Sequence, residues 1–243
     1  LATPVMGSPI KKIYGEQASL TTTALHLLFQ PDYHEVLFYC ASDWRMGIAP
    51  RLARVKYYNG STYTDYTSQA VDRTAATHVP LDGMTTAHKL YLGFTAPVRG
   101  FYINMDGTNK NAVAATLDME YCSAVSALGV GTFADVASDS DGTTSGGATL
   151  AVDGLYSFTL PAVVRGAIIA LDTEPLYWYR FAPSDTLSAT IDLVDIVPAC
   201  DTVNYAFMHA GIEYNFALNL AQNGAFEFDH TGTATLDVTW VRH

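Results

Sequence analysis

Asp139-Ser140-Asp141-Gly142-Thr143 places two carboxylates at alternate positions ahead of a glycine. Carboxylates spaced this way can hold a calcium ion, because a tight loop turns both toward one point. The preceding alternate position is Ala137, however, and the position of the closing bidentate acid is Ala148. Asp139 and Asp141 are therefore a weak calcium candidate, and a plain exposed Asp-Gly turn is the favoured reading. The seven histidines (His26, His34, His78, His88, His209, His230, His243) include no i, i+2 or i, i+4 pair and none beside a cysteine, so no metal-ligand spacing is present. Gly129-Val130-Gly131-Thr132-Phe133-Ala134 fits a loose dinucleotide-binding pattern, but no strand–helix–strand unit surrounds it. No Gly-x-Ser-x-Gly elbow and no Gly-x-x-x-x-Gly-Lys phosphate loop occurs. Glycoside hydrolysis needs two acids converging in a cleft. Asp118, Glu120 and Asp237 instead sit on the outward phase of strands, where solvated acids belong. The chain reads as a non-enzyme with no catalytic residue and no cofactor.

More weight falls on the aromatic run Leu176-Tyr177-Trp178-Tyr179-Arg180-Phe181. In a strand, Tyr177, Tyr179 and Phe181 share one face, and Trp178 and Arg180 share the other. Both faces are bulky, so both are expected to be covered. One cover is a core. The other is an N-terminal arm, a neighbouring subunit, or a flat sugar stacked on Trp178. A core plus a subunit contact is favoured, since aromatics and arginine are enriched in protein interfaces. Tyr177, Trp178, Tyr179 and Arg180 are thus candidate interface residues, joined by Leu1, Pro4, Pro9, Ile13 and Tyr14 of the N-terminal segment. Trp178, Trp44 and Tyr58 would be the platform of a carbohydrate-binding module.

The elements that must position these residues show a period of two. Ala115, Leu117, Met119 and Tyr121 alternate with Thr116, Asp118 and Glu120. Ala53, Val55 and Tyr57 alternate with Arg54 and Lys56; Ala234, Leu236, Val238 and Trp240 alternate with Thr235, Asp237 and Thr239. Such alternation buries one side of each strand. Further strands are expected near 34–40, 62–67, 89–95, 100–105, 154–160, 176–182, 188–197, 212–220 and 225–229. Asn59-Gly60 predicts a hairpin, because both residues tolerate positive φ. Asp106-Gly107, Asp141-Gly142 and Asn223-Gly224 are similar turns. A short helical piece is expected around 68–76. The fold class is all-β, an antiparallel sandwich of jelly-roll type with an extended N-terminal arm. The arm is drawn from Pro4, Pro9, Gly7, Gly15 and the run Thr21-Thr22-Thr23 over 1–24, and its domain extends to residue 30. The sandwich region is 31–200, and 201–243 supplies strands completing it.

A faint echo runs inside that region. Leu90-Tyr91-Leu92-Gly93-Phe94, Ala96-Pro97 and FYINM rhyme with Leu176–Phe181, Ala182-Pro183 and SATIDLVDI. The segments VKYYNGSTYTDY and LDMEYCSAVSALGVGTFADV, which precede them, rhyme as well. Duplication would make 31–110 and 111–200 two related halves.

Composition limits the function classes. Of 243 residues, 49% are hydrophobic and 15% charged, against roughly 25% charged in an average domain. The net charge is −11. Residues 1–121 carry ten bases and ten acids; residues 122–243 carry three bases and fourteen acids. Phosphate neutralisation needs clustered Lys and Arg, so nucleic acid is not an expected partner. No apolar run spans a membrane. The first residues lack the pattern of a secretory leader, and the missing initiating Met predicts a processed or trimmed end. Cys40, Cys122 and Cys200 show no paired spacing and read as buried thiols.

The order LYLGFTAP, FYINM, ATLDMEYCS, FADV, DSDGT, SGGATLAVDGLYSFTLPAVV and EPLYWYRFAPSDTLSATIDLVDI resembles a recurrent β-rich module in structural proteins of tailed bacterial and archaeal viruses. It covers roughly 88–197 and departs from the pattern at Cys122-Ser123 and at Pro161–Val164. The resemblance implies a virion building block. Its leading form is a capsid decoration or cement protein that binds the major capsid protein or other virion proteins and forms a homo-oligomer, with a trimer favoured. A tail, baseplate or fibre component is the alternative.

Overall fold

The computed structural model describes residues 12–20, 25–28, 35–72, 74–159, 168, 171–199, 206–217 and 225–242. In chain order the strands are β1 (Lys12–Leu20), β2 (Leu25–Leu28), β3 (Glu35–Cys40), β4 (Trp44–Ala49), β5 (Leu52–Tyr58) and β6 (Tyr63–Asp65). Then come β7 (Val79–Pro80), β8 (Lys89–Phe94), β9 (Gly100–Met105), β10 (Leu117–Val125), β11 (Gly131–Asp135) and β12 (Ala137–Asp141). The last are β13 (Gly154–Thr159), β14 (Tyr177–Pro183), β15 (Asp192–Ala199), β16 (Ala206–Met208), β17 (Glu213–Ala217), β18 (Ala225–Asp229) and β19 (Ala234–Arg242). No α-helix occurs among the described residues. The helical piece expected at 68–76 is a set of turns followed by a 3-10 turn at Ala75–Thr77. Asp72 accepts from the Thr74 amide and the Thr77 hydroxyl there. Such local side-chain bonds compete with helix.

The chain divides into two units. One is split, Leu1–Ile48 with Thr202–His243; the other, Ala49–Asp201, is inserted into it. In the split unit the strands pair as a ribbon, first with last: β1 with β19, β2 with β18, β3 with β17 and β4 with β16. The sheet orders are β1-β19-β3-β17 and β16-β4-β18-β2. A four-pair antiparallel ribbon wrapped until its first and third pairs share a sheet gives this order, which is the eight-stranded jelly roll. Val36, Phe38 and Cys40 alternate with Glu35, Leu37 and Tyr39, and only the first set is buried. They meet Trp44, Phe226, Phe228, Leu236, Val238 and Trp240 in one core. Phe38 packs edge-on to Phe226 and Phe228, with centroids 4.9 Å apart in each case.

The inserted unit repeats the plan. Its ribbon pairs are β7 with β15, β8 with β14, β9 with β13 and β10 with β11. Its sheets read β11-β10-β14-β8-β5-β6 and β12-β13-β9-β15-β7. Within them the second jelly roll is extended by β5 and β6 on one sheet and by β12 on the other. Both sheets supply one core that includes Leu92, Phe94, Phe101, Ile103, Tyr156 and Phe181. The insertion enters the split roll between β4 and β16. At the corresponding place in the inserted roll, β10 and β11 are joined by a tight turn.

Two expectations change here. Residues 12–20, expected within the arm 1–30, form a sheet strand in register with β19 from Lys12↔Arg242 to Leu20↔Ala234. Residues 201–243 do not complete the sandwich of 31–200; their strands pair with the N-terminal strands in the split unit. Strand partners more than two hundred residues apart leave no local mark on composition. The echo has a different spatial counterpart from the halves 31–110 and 111–200. The six-stranded sheet reads as a mirror about the β14–β8 boundary, with hairpin β10–β11 on one side and hairpin β5–β6 on the other. The rhyming segments are β8–β9 and β14–β15, which lie side by side in the two sheets.

Candidate functional site

β14 lies between β10 and β8, well inside its sheet. Tyr179 and Phe181 point into the core and are fully buried. The Tyr179 hydroxyl donates to the Val98 carbonyl at 3.2 Å, and burial raises its pKa. Trp178 lies on the opposite face and is also fully buried, packed with Ala53, Tyr91, Cys122, Ile168, Leu171 and Leu176. Its register partner is Gly93. A Cβ on Gly93 would come within 3.1 Å of the indole ring and 2.8 Å of Leu176 Cδ1. Glycine at this position lets the ring lie across the neighbouring strand.

Next to the indole, one row of side chains crosses the sheet in register: Asp135, Glu120, Arg180, Tyr91, Lys56 and Asp65. Arg180 donates from Nε to Glu120 Oε2 at 2.7 Å and from Nη2 to Oε1 at 3.0 Å. Its Nη1 donates to the Tyr91 hydroxyl at 3.1 Å, and its guanidinium carbon stands 4.1 Å from the Phe133 ring centroid. Lys89 Nζ lies 3.8 Å from Glu120, and Lys56 Nζ lies 2.8 Å from Asp65. Arg54 donates to Asp172 at 2.5 Å and to Glu174 at 2.8 Å. Burial works against the charge on Glu120, but the bonds and charge of Arg180, with Lys89, outweigh it and hold the carboxyl below its ordinary range. Asp172 is lowered in the same way, with the Glu174 amide and Arg54 overcoming burial. Burial, with Tyr91 nearby, raises the Tyr63 phenol to about 12. The cations of this face are thus matched by the chain's own acids.

A cleft of about 560 Å³ opens beside this row, lined by Lys89, Asp118, Glu120, Asp135 and Asp139 among others. The calcium candidates lie at and beyond its rim. Asp139 accepts a short hydrogen bond from the Tyr156 hydroxyl, whose pKa burial and then Asp139 raise strongly. Asp141 Oδ1 accepts from the Thr143 amide at 2.8 Å and its hydroxyl at 2.5 Å. Asp141 Oδ2 accepts from the hydroxyls of Thr144 at 3.0 Å and Thr149 at 2.6 Å. Both carboxylates are engaged by hydrogen-bond donors and organise a turn. Among the described residues no group of three or more His, Cys, Asp or Glu side chains is arranged for a metal ion. A smaller cleft of about 230 Å³ in the split unit contains the Arg45–Asp229 pair, with Nε to Oδ1 at 2.8 Å.

The structure separates the candidate interface residues. Trp178 and Tyr179 are interior, Tyr177 is half-buried against the core, and Arg180 is half-buried in its own ion pairs. The expected second cover of the aromatic strand is the chain's own Ile168, Leu171 and Leu176. Ile13 and Tyr14 lie in β1, opposite Val241 and Trp240. Leu1, Pro4 and Pro9 lie outside the described residues. Of the sugar platform, Trp44 and Trp178 are buried, while Tyr58 is half-exposed beside Tyr63, with centroids 4.8 Å apart. Gly93 and Phe133 were not singled out in the sequence. The isolated glycine within an apolar strand pattern was the available signal. No protein-family model matches this chain, and no curated protein and no solved structure matches it.

Proposed function

We propose that the protein is a non-enzymatic structural component of a virus particle, and that it coats the capsid surface as a decoration or cement protein. The strand order carries this reading: two jelly rolls built on one plan, the second inserted between the fourth and fifth strands of the first. Jelly rolls are a recurrent architecture of viral capsid domains, and also of lectins. The likeness of 88–197 to β-rich virion modules points the same way. Both units are acidic, with four bases against eight acids in the split unit and nine against sixteen in the inserted one. Net charge of one sign keeps decorated particles dispersed.

The test is location. Purified particles of the source virus should contain the protein at near-stoichiometric copy number by quantitative mass spectrometry, and antibody labelling should decorate the heads. Tail labelling would move the same fold to a tail component. Absence from particles would end the reading. Deleting 1–24 is not a clean test, because it also removes strand β1. The second reading, a carbohydrate-binding module, is favoured by the half-exposed Tyr58 beside the exposed Tyr63. A glycan array probed with wild type and Tyr63→Ala decides it: no hits, or equal hits, would remove it.

A further inference from the structure

We propose that the smaller cleft of the split unit binds a single neutral sugar ring, stacked on Phe207 and hydrogen-bonded by Asp43, Asp229 and His230. The cleft holds about 230 Å³. That is below the roughly 300–1,000 Å³ of sites for drug-sized ligands and suits one ring-sized molecule. Strand alternation builds its wall. Trp44 and Met208 are register partners in β4 and β16 and point into the core. The next register pair, Arg45 and Phe207, therefore faces outward into the cleft. The neighbouring strand β18 ends on Asp229, and His230 and Thr231 carry the lining onward. Phe207 is 57% exposed, and His209 stands roughly perpendicular to it with centroids 5.2 Å apart.

The polar groups are set before anything binds. Arg45 donates to Asp229 from Nε at 2.8 Å and from Nη2, which fixes the carboxylate plane and leaves lone pairs on both oxygens. Asp43 Oδ1 accepts from the Ala210 amide at 2.8 Å, while Oδ2 has no donor among the described residues. His230 Nδ1 accepts from the Gly232 amide at 2.8 Å, so the neutral ring carries its proton on Nε2 as a donor. Preset groups lose little freedom when a ligand docks. Charge then selects the ligand class. An anion meets two carboxylates, and the guanidinium is already engaged by Asp229. A metal ion finds no group of three or more His, Cys, Asp or Glu side chains among the described residues. An organic cation on Phe207 would lie beside the Arg45 guanidinium, its register neighbour. A wholly apolar molecule would strip water from Asp43, Asp229 and His230 and replace no hydrogen bond. A sugar answers each group: C–H bonds on one ring face for Phe207, hydroxyls that donate to the carboxylates, and an oxygen that accepts from His230. This inference goes beyond the assembly reading and does not rest on it. It is also separate from the Tyr58–Tyr63 pair, which lies in the inserted unit.

Saturation-transfer difference NMR of the full chain tests it, with the methyl glycosides of glucose, galactose, mannose, fucose and N-acetylglucosamine as millimolar probes. At least one should receive saturation at its ring C–H protons, and Phe207→Ala should abolish that signal. Asp43→Asn keeps the Oδ1 acceptor for Ala210 but turns Oδ2 into a donor. It should weaken binding of the same glycoside at least about tenfold by titration, the scale of one hydrogen bond to a charged group. Ile212→Ala, a similarly exposed site on the split unit, should bind like wild type, as should Tyr63→Ala. Circular dichroism should show all four variants equally folded. Saturation of none of the glycosides, or binding that survives Phe207→Ala or Asp43→Asn undiminished, overturns the proposal. So does a cleft that takes inorganic phosphate or ethylammonium and no glycoside. Glycoside binding lost in Tyr63→Ala but kept in Phe207→Ala ends this site and keeps the tyrosine reading. A protein absent from particles whose glycoside binding is lost in Phe207→Ala keeps this site and ends the assembly reading.

Discussion

Replacing Trp178 separates a packing role from a binding role. The indole is fully buried in the inserted unit, between its sheet and Ile168, Leu171 and Leu176. Truncating a buried tryptophan to alanine costs about 3–5 kcal/mol, from lost burial and an incompletely collapsed cavity. For a unit of roughly 150 residues each kcal/mol moves the thermal midpoint by about 2–4 °C, so Trp178→Ala should lower it by about 6–20 °C. Trp178→Phe is the discriminating partner. The indole N–H has no acceptor among the described residues. Phenylalanine therefore loses volume but also removes a buried donor that costs about 1–3 kcal/mol, and its net loss should stay within about 2 kcal/mol. Differential scanning calorimetry of the full chain, with near-ultraviolet circular dichroism to follow tertiary packing, reads both. A Trp178→Ala protein that melts within about 2 °C of wild type would refute the packing role. So would one that keeps its midpoint but loses binding to a partner or a glycan.

Three further outcomes follow from the same unit. Glu120 is held below its ordinary value of 4.5 and Asp172 below 3.8, so the stability they contribute is complete above those values and is lost as pH falls through the lower folded ones. Urea midpoints should be flat near neutrality and fall below about pH 4.5, with a shallower acid slope in Glu120→Gln; a midpoint unchanged down to about pH 2.5 would contradict this. Gly154→Ala should destabilise by more than about 2 kcal/mol because its Cβ would fall on the Gly142 carbonyl, while Gly107→Ala, with nothing within 4 Å, should be nearly neutral; chemical denaturation compares them. Asp141→Ala should cost about 1–3 kcal/mol because the buried Thr143 and Thr149 hydroxyls lose their carboxylate acceptor, and millimolar calcium should leave the wild-type melting temperature unmoved; a calcium-dependent rise would restore the ion site.

The strands at 89–94, 100–105, 177–183 and 234–242 were legible because a sheet with one buried face writes its period of two into the side chains. Asn59-Gly60 marked its hairpin for an equally local reason: Gly60 takes φ +90°, and Asn59 Oδ1 accepts from the amides of Ser61 and Thr62. Strands β2, β4, β7, β12 and β16 escaped notice; β7 and β16 are only two and three residues long, and β12 is exposed and acidic, with little apolar alternation to record. At the aromatic strand, the sequence showed that both faces of residues 176–181 would be covered. It did not show what covers them, because period reveals a face and not its neighbour. The cover came from Ile168, Leu171 and Leu176 of the same chain, so Trp178 changed from a contact candidate to a core residue.

Charge followed the same division. The sequence alone established a chain of net −11 that is undercharged and lopsided along its length, neutral to residue 121 and acidic beyond it. It also established an all-β chain with hairpin turns. Tertiary structure decided which segments belong together. Because β19 pairs with β1 and the whole of 49–201 is inserted between β4 and β16, the lopsided halves fold into two units that are both acidic. Alternation and turn chemistry act over a few residues and are written locally. Ribbon pairing joins strands more than two hundred residues apart through backbone hydrogen bonds that any side chain can accompany, so no short stretch of sequence records it.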